Sequence, residues 1–266
     1  MIFGKEVIMK YKIKDVKRIL NIKEETLRYY DNQDIIKTSR DESNNYRYFK
    51  ATDINKIFAY KMYRSLLFSS TDAKQLVSGN SEDYLLDKLN EQLTVIKNNQ
   101  NYLERAHKHI FDLQIKLNKW KSFQGGFEIV KSPGCYYHPN QTLDSFILNS
   151  TVFENSWHCF DYFPSIWPCF YYEPSIDDKI SFGYGIEVEH VELADMIHLP
   201  PTKCLYTMFL LNTDLFEHMN TLLEEANQYC RQNGYSLSGI TYGNILHETK
   251  KDGLISQLFD VYMPIV

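Results

Sequence analysis

Apolar residues at helical spacing open the readable part of the chain. Ile13, Val16, Ile19 and Leu20 recur every three or four positions, Asn21-Ile22 interrupts them, and Glu24-Glu25 starts a second stretch with acidic side chains suited to the positive end of a helix dipole. In this second helix Leu27 continues the inward face while Arg28 and Tyr29 project outward. The segment that follows, DNQDIIKTSRDESNNYRYF, reads as a short wing with its turn at Asn44-Asn45, because Asn accepts left-handed backbone more readily than most residues. The predicted order is helix, turn, helix, wing.

A longer helical pattern runs from Ser81 to Phe123, with Leu89, Leu93, Ile96, Leu103, Ile110, Leu113, Leu117 and Trp120 on an approximate three-four repeat. Gln100 falls where an apolar residue would continue the repeat, so a long ideal coiled coil is not expected. Leu93, Ile96, Leu103 and Ile110 are the candidate dimer seam; the same pattern also fits a stripe packed on the chain's own globular part.

After Gln124-Gly125-Gly126 the helical period gives way to β-rich runs broken by Gly and Pro: FEIVKSPG, WPCFYYEP, KISFGYGIEVEHV, KCLYTMFLL and a terminal LFDVYMPIV. Ile186, Val188 and His190 alternate with Glu187, Glu189 and Val191 as a half-buried antiparallel strand would. One helix is predicted at Asp214 to Gln232, stopped by Asn233-Gly234. The reading is a multidomain chain: an extension at 1–9, an all-α winged helix-turn-helix domain at 10–78, a long dimerisation helix at 79–123 and an α+β domain with an antiparallel sheet at 124–266.

Charge sharpens this division. Residues 1–75 carry 16 Lys+Arg against 10 Asp+Glu, a net of +6, and the remainder carries −11. Two basic-aromatic clusters lie in the basic part: Arg28 with Tyr29 and Tyr30, then Tyr46, Arg47 and Tyr48. Guanidinium groups fork onto phosphates, and phenols add a hydroxyl and a flat face, so both clusters are candidates for duplex DNA. At 266 residues and 44% hydrophobic content the chain has material for a second core. No apolar run reaches the ~18 residues of a membrane span, and the start lacks the apolar core of a signal peptide, so a cytoplasmic, membrane-free protein is expected.

The five cysteines, Cys135, Cys159, Cys169, Cys204 and Cys230, show no metal-ligand spacing and the eight histidines are scattered, so no metal and no cofactor are predicted. No G-x-S-x-G, H-E-x-x-H, P-loop or G-x-G-x-x-G is present, and no catalytic residue is assigned.

Residues 10 to 78 resemble the DNA-binding module of the MerR family of bacterial transcription regulators, carried by YKIKDVKRILNIKEETLRYY and the YRYF wing. The resemblance implies a dimer that untwists promoters whose two recognition elements are too far apart, and so acts on RNA polymerase indirectly. It places Arg28 and Tyr29 on the recognition helix, Tyr46 and Arg47 on the wing, and Lys61 and Arg64 on the helix pair that follows. Asn45 stands where the family usually has Gly.

The C-terminal order of elements is similar to the gyrase-inhibitor-like effector domain of BmrR-type multidrug-responsive regulators, which implies an aromatic or lipophilic small-molecule effector. Those sensors often carry a buried Glu on the strand after the late helix, where this chain reads SGITYGNIL. The aromatics of this domain are dense, and the candidate ligand set is Trp167, Phe170, Tyr171, Tyr172, Tyr184, Phe209 and Tyr242, with Glu173 and Asp260 as substitute acids. Two alternatives stand beside ligand-responsive regulation: an architectural DNA-binding protein that needs no ligand, and a small-molecule hydrolase using Glu173, Glu187 or Glu248.

Overall fold

The computed structural model describes residues 9–41, 45–142, 145–175, 177–187, 196–251 and 253–266. The chain divides into two compact units, Met1–Gln100 and Asn101–Val266.

In the first unit α1 (Ile13–Leu20) starts where the Lys12 N–H donates to the Asp15 carboxylate at 2.9 Å, and it stops at Asn21 in the left-handed region. Next come α2 (Glu24–Asn32), a ribbon of β1 (Ser39–Arg40) and β2 (Arg47–Tyr48), α3 (Ala51–Ser65) and α4 (Ser70–Leu76). The core these elements share includes Val16, Leu27, Tyr30, Ile36, Phe49, Ile57 and Phe68. Ribbon register is Ser39 opposite Tyr48 and Arg40 opposite Arg47, and the turn closes with Asn45 at φ 57 donating its N–H to the Asp41 carbonyl at 2.8 Å. A backbone bridge from Tyr11 to Phe49 fixes the ribbon's base. Asn44, the other half of the expected turn, lies outside the described residues, as do Val188, Glu189, His190 and Val191 of the expected alternation.

Helix α5 (Glu82–Ser122) runs 41 residues. In the first unit the Gln92 amide is buried and donates to the Leu66 carbonyl at 2.9 Å, which satisfies the C-terminal end of α3. The expected stripe then splits. Leu93, Leu103 and Ile110 are exposed and Ile96 is half-buried, whereas Leu113, Leu117 and Trp120 pack in the second unit on the chain's own sheet.

That second unit is an eight-stranded antiparallel sheet in the order β3-β8-β10-β9-β5-β6-β4-β7. The strands are β3 (Glu128–Lys131), β4 (Cys135–Gln141), β5 (Ile166–Glu173), β6 (Asp177–Ile186), β7 (Ile197–Leu199), β8 (Lys203–Leu211), β9 (Thr241–Lys251) and β10 (Leu254–Pro264). Two helices cover one face. α6 (Ser150–Phe160) is capped by the Asn149 side chain, and α7 (Leu215–Asn233) by Asp214, which accepts from the Phe216 and Glu217 N–H groups; α7 ends at left-handed Gly234 as expected. Alternation along β10 sorts the faces: Phe259, Val261 and Met263 point toward α7, while Leu258 and Tyr262 point toward the end of α5. α6, β4 and β7 had no counterpart in the sequence reading.

Gly243 marks a close approach between strands of this sheet. A methyl group there would sit 2.1 Å from the Asp260 carbonyl oxygen and 2.8 Å from the Phe170 ring. Backbone on the neighbouring strand cannot yield, so Gly243→Ala is expected to cost about 3 kcal/mol or more. Gly125→Ala, in open space at φ +83, meets only backbone strain of about 1–2 kcal/mol. All three tryptophans lie in this unit, so urea unfolding followed by Trp fluorescence compares the two variants directly.

Candidate nucleic-acid interface and aromatic cage

On the first unit the outward side chains come from α2 and the ribbon. Arg28 is exposed and held by Glu24 one turn earlier, N to O 2.8 Å, and Tyr29 beside it is about half exposed at 48%. Tyr46 stands at the ribbon tip with 76% exposure. Arg47 is exposed with its Nε 3.2 Å from Asp31, and Asp31 also accepts from the Thr38 N–H and hydroxyl; one carboxylate thus ties the end of α2 to both sides of the wing. Directly opposite Arg47 is Arg40, exposed and donating to the Asn45 side-chain amide oxygen at 3.4 Å. Side chains directly opposite across a ribbon point to the same side, so two guanidinium groups repel there unless an anion comes between them. Sequence reading passed over Arg40; its signal is the Ser-Arg pair ahead of the polar turn, in register with Tyr-Arg-Tyr after it.

The remaining expected DNA contacts sit differently. Tyr30 is a core residue at 8% exposure, its ring packed edge-on to Tyr60 at 5.2 Å, and burial pushes its hydroxyl above the ordinary value of 10.0. It lies three positions after Leu27, on the helix's inward face, and it leaves the DNA-facing set. Tyr48 is half-buried, with the Lys10 ammonium 4.6 Å over its ring. Lys61 donates to the Leu20 carbonyl at 3.3 Å and closes the end of α1, and Arg64 donates to the Phe68 carbonyl in the α3–α4 connection, so both heads are held by backbone.

In the second unit the face under α5 carries a row of tyrosines across four adjacent strands: Tyr206 on β8, Tyr262 on β10, Tyr242 on β9 and Tyr171 on β5, each in register with the next. Rings of Tyr206 and Tyr262 lie 5.1 Å apart, and those of Tyr242 and Tyr262 stack at 5.6 Å. Trp167 forms one wall, with the His109 ring of α5 tilted over it at 4.1 Å. Asp260, fully buried beside Tyr262, accepts from the Asn244 N–H at 3.0 Å and the Asn244 amide at 2.9 Å. Into this cage α5 sends Lys116. Its ammonium pairs with Asp260, lies 5.1 Å from the Trp167 ring centre and 5.6 Å from that of Tyr262, and is 13% exposed. Glu187 lines the same cavity; burial raises its carboxyl above the ordinary 4.5, and Lys116 opposes that rise.

The expected ligand set therefore divides between two faces. Trp167, Tyr171, Tyr242 and Asp260 belong to the cage side, whereas Phe170, Tyr172 and Phe209 pack beneath α7, because consecutive strand residues alternate. The aromatic side chains of WPCFYYEP are all buried, and the strand borders open space at Pro168 and Cys169. The cage encloses a void of only about 10 Å³, roughly the room of one water. Glu173 is held by the Tyr171 hydroxyl at the end of β5, and Glu248 is exposed and accepts from Gln257. Tyr184 lines a separate cavity of about 320 Å³ with Asn140, Gln141, Phe146, Phe182 and Gln257. Tyr206 and Tyr262 belong to the dense aromatics of this domain but stand outside the expected ligand set, and Lys116 was not singled out; the recurrent Leu-Tyr, Val-Tyr and Thr-Tyr pairs of the late strands were the available signal for the two tyrosines.

All five cysteines are free thiols; four are buried and Cys135 is half-buried. Burial pushes Cys135 up to about 12 and Cys159 to about 11, and raises Cys169, Cys204 and Cys230 as well. Among the described residues no group of three His, Cys, Asp or Glu could hold a metal ion, and no helix is long and apolar enough to cross a membrane.

Residues 11–80 match the family model described as MerR HTH family regulatory protein, and this segment is a MerR-type helix-turn-helix domain. No curated protein matches the chain. Among solved structures, the chain is similar to a MerR-family transcriptional regulator from Bacillus cereus, with TM-score 0.38, 18% identity, and coverage of 42% of this chain and 84% of that one. A second is HiNmlR, a MerR family regulator lacking the sensor domain, bound to promoter DNA, with TM-score 0.32, 21% identity and coverage of 43% and 92%. The third, EcmrR in an EcmrR–DNA complex, has TM-score 0.36 and 14% identity, and the match covers 97% of this chain and 99% of that one.

Burial lowers His109, His138 and His218 below the ordinary 6.5. The unfolded chain then binds more protons than the folded one once pH falls through 6.5, so these residues withdraw stability from the second unit on acidification and contribute nothing above that value. Glu187, with its raised carboxyl, works in the opposite sense. Urea midpoints at pH 7.5 and 5.5 should therefore differ less in a His109→Gln, His138→Gln, His218→Gln triple variant than in the parent, with the parent losing more at 5.5.

Proposed function

We propose that the chain is a transcription regulator that binds duplex promoter DNA as a homodimer and changes promoter output, acting on RNA polymerase indirectly, when a small aromatic or lipophilic molecule enters its C-terminal domain. The observation that carries the DNA part is the pair Arg40 and Arg47, exposed and facing each other across the ribbon, with Tyr46 at the tip. Like charges held that close suit a phosphate, which relieves their repulsion and accepts from both forks. Arg28 and Tyr29 on α2 supply the contacts expected in a groove. The family match over 11–80 supports the same reading, and a regulator of this kind works in the cytoplasm with its DNA.

The dimer rests on α5. Leu93, Leu103 and Ile110 stay exposed on a helix whose later apolar residues are packed, and this stretch fits the same face of a second copy. The effector part rests on the cage: an aromatic box around a buried carboxylate is built to hold a cation or a flat ring. Of the three carboxylates considered for hydrolysis, Glu173 and Glu248 are each engaged by a neighbouring side chain, and Glu187, whose carboxyl burial raises, lines a void of only about 10 Å³ that leaves no room for a substrate.

On duplexes selected from random sequence, Arg28→Ala or Arg47→Ala should lose about 1–3 kcal/mol of affinity if the fork reads a base, or lower the salt slope by about one if it meets a phosphate. Tyr30→Phe, a core change, should leave both unchanged. Fluorescence anisotropy across a salt series separates these outcomes, and unchanged slope and affinity in both arginine variants defeats the assignment.

Leu103→Glu is expected to give folded monomers with much weaker operator binding, since the position is exposed at 64% in the single chain and a charge there harms only a seam. Sedimentation at micromolar concentration decides: a variant that remains dimeric removes α5 as the interface.

A further inference from the structure

The cage of the second unit already holds a cation, and that cation belongs to the protein. Lys116 pairs with Asp260, donates toward the Tyr262 hydroxyl at 3.5 Å, and faces the rings of Trp167 and Tyr262 at the distances of a cation over an aromatic surface. A free quaternary or aromatic cation would be recognised by the same groups: ring faces, the buried Asp260 carboxylate and, at the cavity wall, Glu187. We propose that Lys116 is a tethered internal occupant that keeps the cage closed and sets the charge of what replaces it, so that the cage exchanges the lysine ammonium for an organic cation of aromatic size. This rests on the reading that the second unit takes a small-molecule effector.

The physical case is one of charge conservation in a dry site. Asp260 has no exposure, and its other partners, the Asn244 N–H and amide and the Tyr262 hydroxyl, are neutral donors. A neutral aromatic that pushed Lys116 aside would leave a buried carboxylate without a counter-charge, a strongly unfavourable state. An organic cation that pushes it aside restores the ion pair, adds ring contacts with Trp167 and the tyrosine row, and frees the ammonium to be hydrated outside. Space agrees with exchange rather than addition, because the void bordered by Trp167, Tyr242, Tyr262 and Glu187 is about 10 Å³, too small for a ring. Lys116 is carried by the same stretch of α5 as Leu113, Leu117 and Trp120, which pack on this face of the sheet. Exchange therefore loosens the attachment of that stretch and gives the ligand a differential affinity for two arrangements of the unit, which a regulator requires.

The test uses the full chain and two probes of equal shape, 1-methylquinolinium and the neutral 1-methylnaphthalene, followed by Trp fluorescence and calorimetry. Lys116→Met keeps the apolar stem and removes the competing charge. It should bind 1-methylquinolinium about tenfold tighter or better than the parent, with 1-methylnaphthalene changed little. Because that variant leaves Asp260 unpaired, a Lys116→Met, Asp260→Asn double variant serves as the folded control; with Glu187 the one acid left in the cage, it should lose most of the preference for the cation. Cation affinity that is unchanged in Lys116→Met, rises equally for both probes, or is preferred as strongly in the double variant as in Lys116→Met overturns the exchange while leaving an effector site in place. Absence of binding by either probe to the parent and both variants overturns the effector reading itself and the exchange with it.

Discussion

A carboxyl group with no access to water sits on β10, the strand between β8 and β9 in the eight-stranded sheet, and much of the second unit follows from giving it partners there. Asn244 satisfies part of Asp260 through two hydrogen bonds, but the charge needs an opposite charge, and the partner comes from Lys116, 144 residues earlier. Breaking such a pair by removing one member costs on the order of 3–5 kcal/mol. The requirement fixes the end of α5 on the sheet as firmly as the apolar contacts of Leu113, Leu117 and Trp120 do. Lys119 repeats the pattern near the surface, lying 4.2 Å over the Tyr206 ring and paired with Glu128 on β3.

The first unit handles its charges the opposite way. Lys61 and Arg64 give their heads to backbone carbonyls and Arg47 leans on Asp31, yet Arg28, Arg40 and Arg47 remain at the surface. Exposed ion pairs such as Arg28 with Glu24 are weak and screened. They hold a side chain in a useful direction without committing it, so an arriving phosphate competes for the guanidinium on easy terms. A buried pair, like that of Asp260, offers no such freedom unless its replacement carries the same charge.

Local signals made part of this legible in the sequence. The interruption at Asn21, the acidic start of α2, the Asn45 turn and the Gly234 stop are all decisions taken within a few residues, and each appears in the structure where its chemistry demands it. Other features depended on partners far away. β4 carries Pro139 at an irregular register, and α6 follows a segment without helical spacing, so neither announced itself. Aromatic density in WPCFYYEP was visible, but assigning Phe170 and Tyr172 to one face and Trp167 and Tyr171 to the other needed the sheet's register. Tyr30 was readable in principle, since it repeats Leu27 three positions on; its arginine and tyrosine neighbours drew it into the wrong set. Lys116 was not readable, because nothing near it in sequence hints at Asp260.

The buried thiols have a practical corollary. Every cysteine lies beyond residue 134, none is fully open to solvent, and burial raises the pKa of each thiol, so little reactive thiolate is available near neutral pH. The helix-turn-helix segment contains no cysteine at all. A single cysteine introduced at an exposed wing position would therefore accept a maleimide dye or spin label in an otherwise native background, and distances within a DNA complex become measurable without first stripping the protein of its own sulfur.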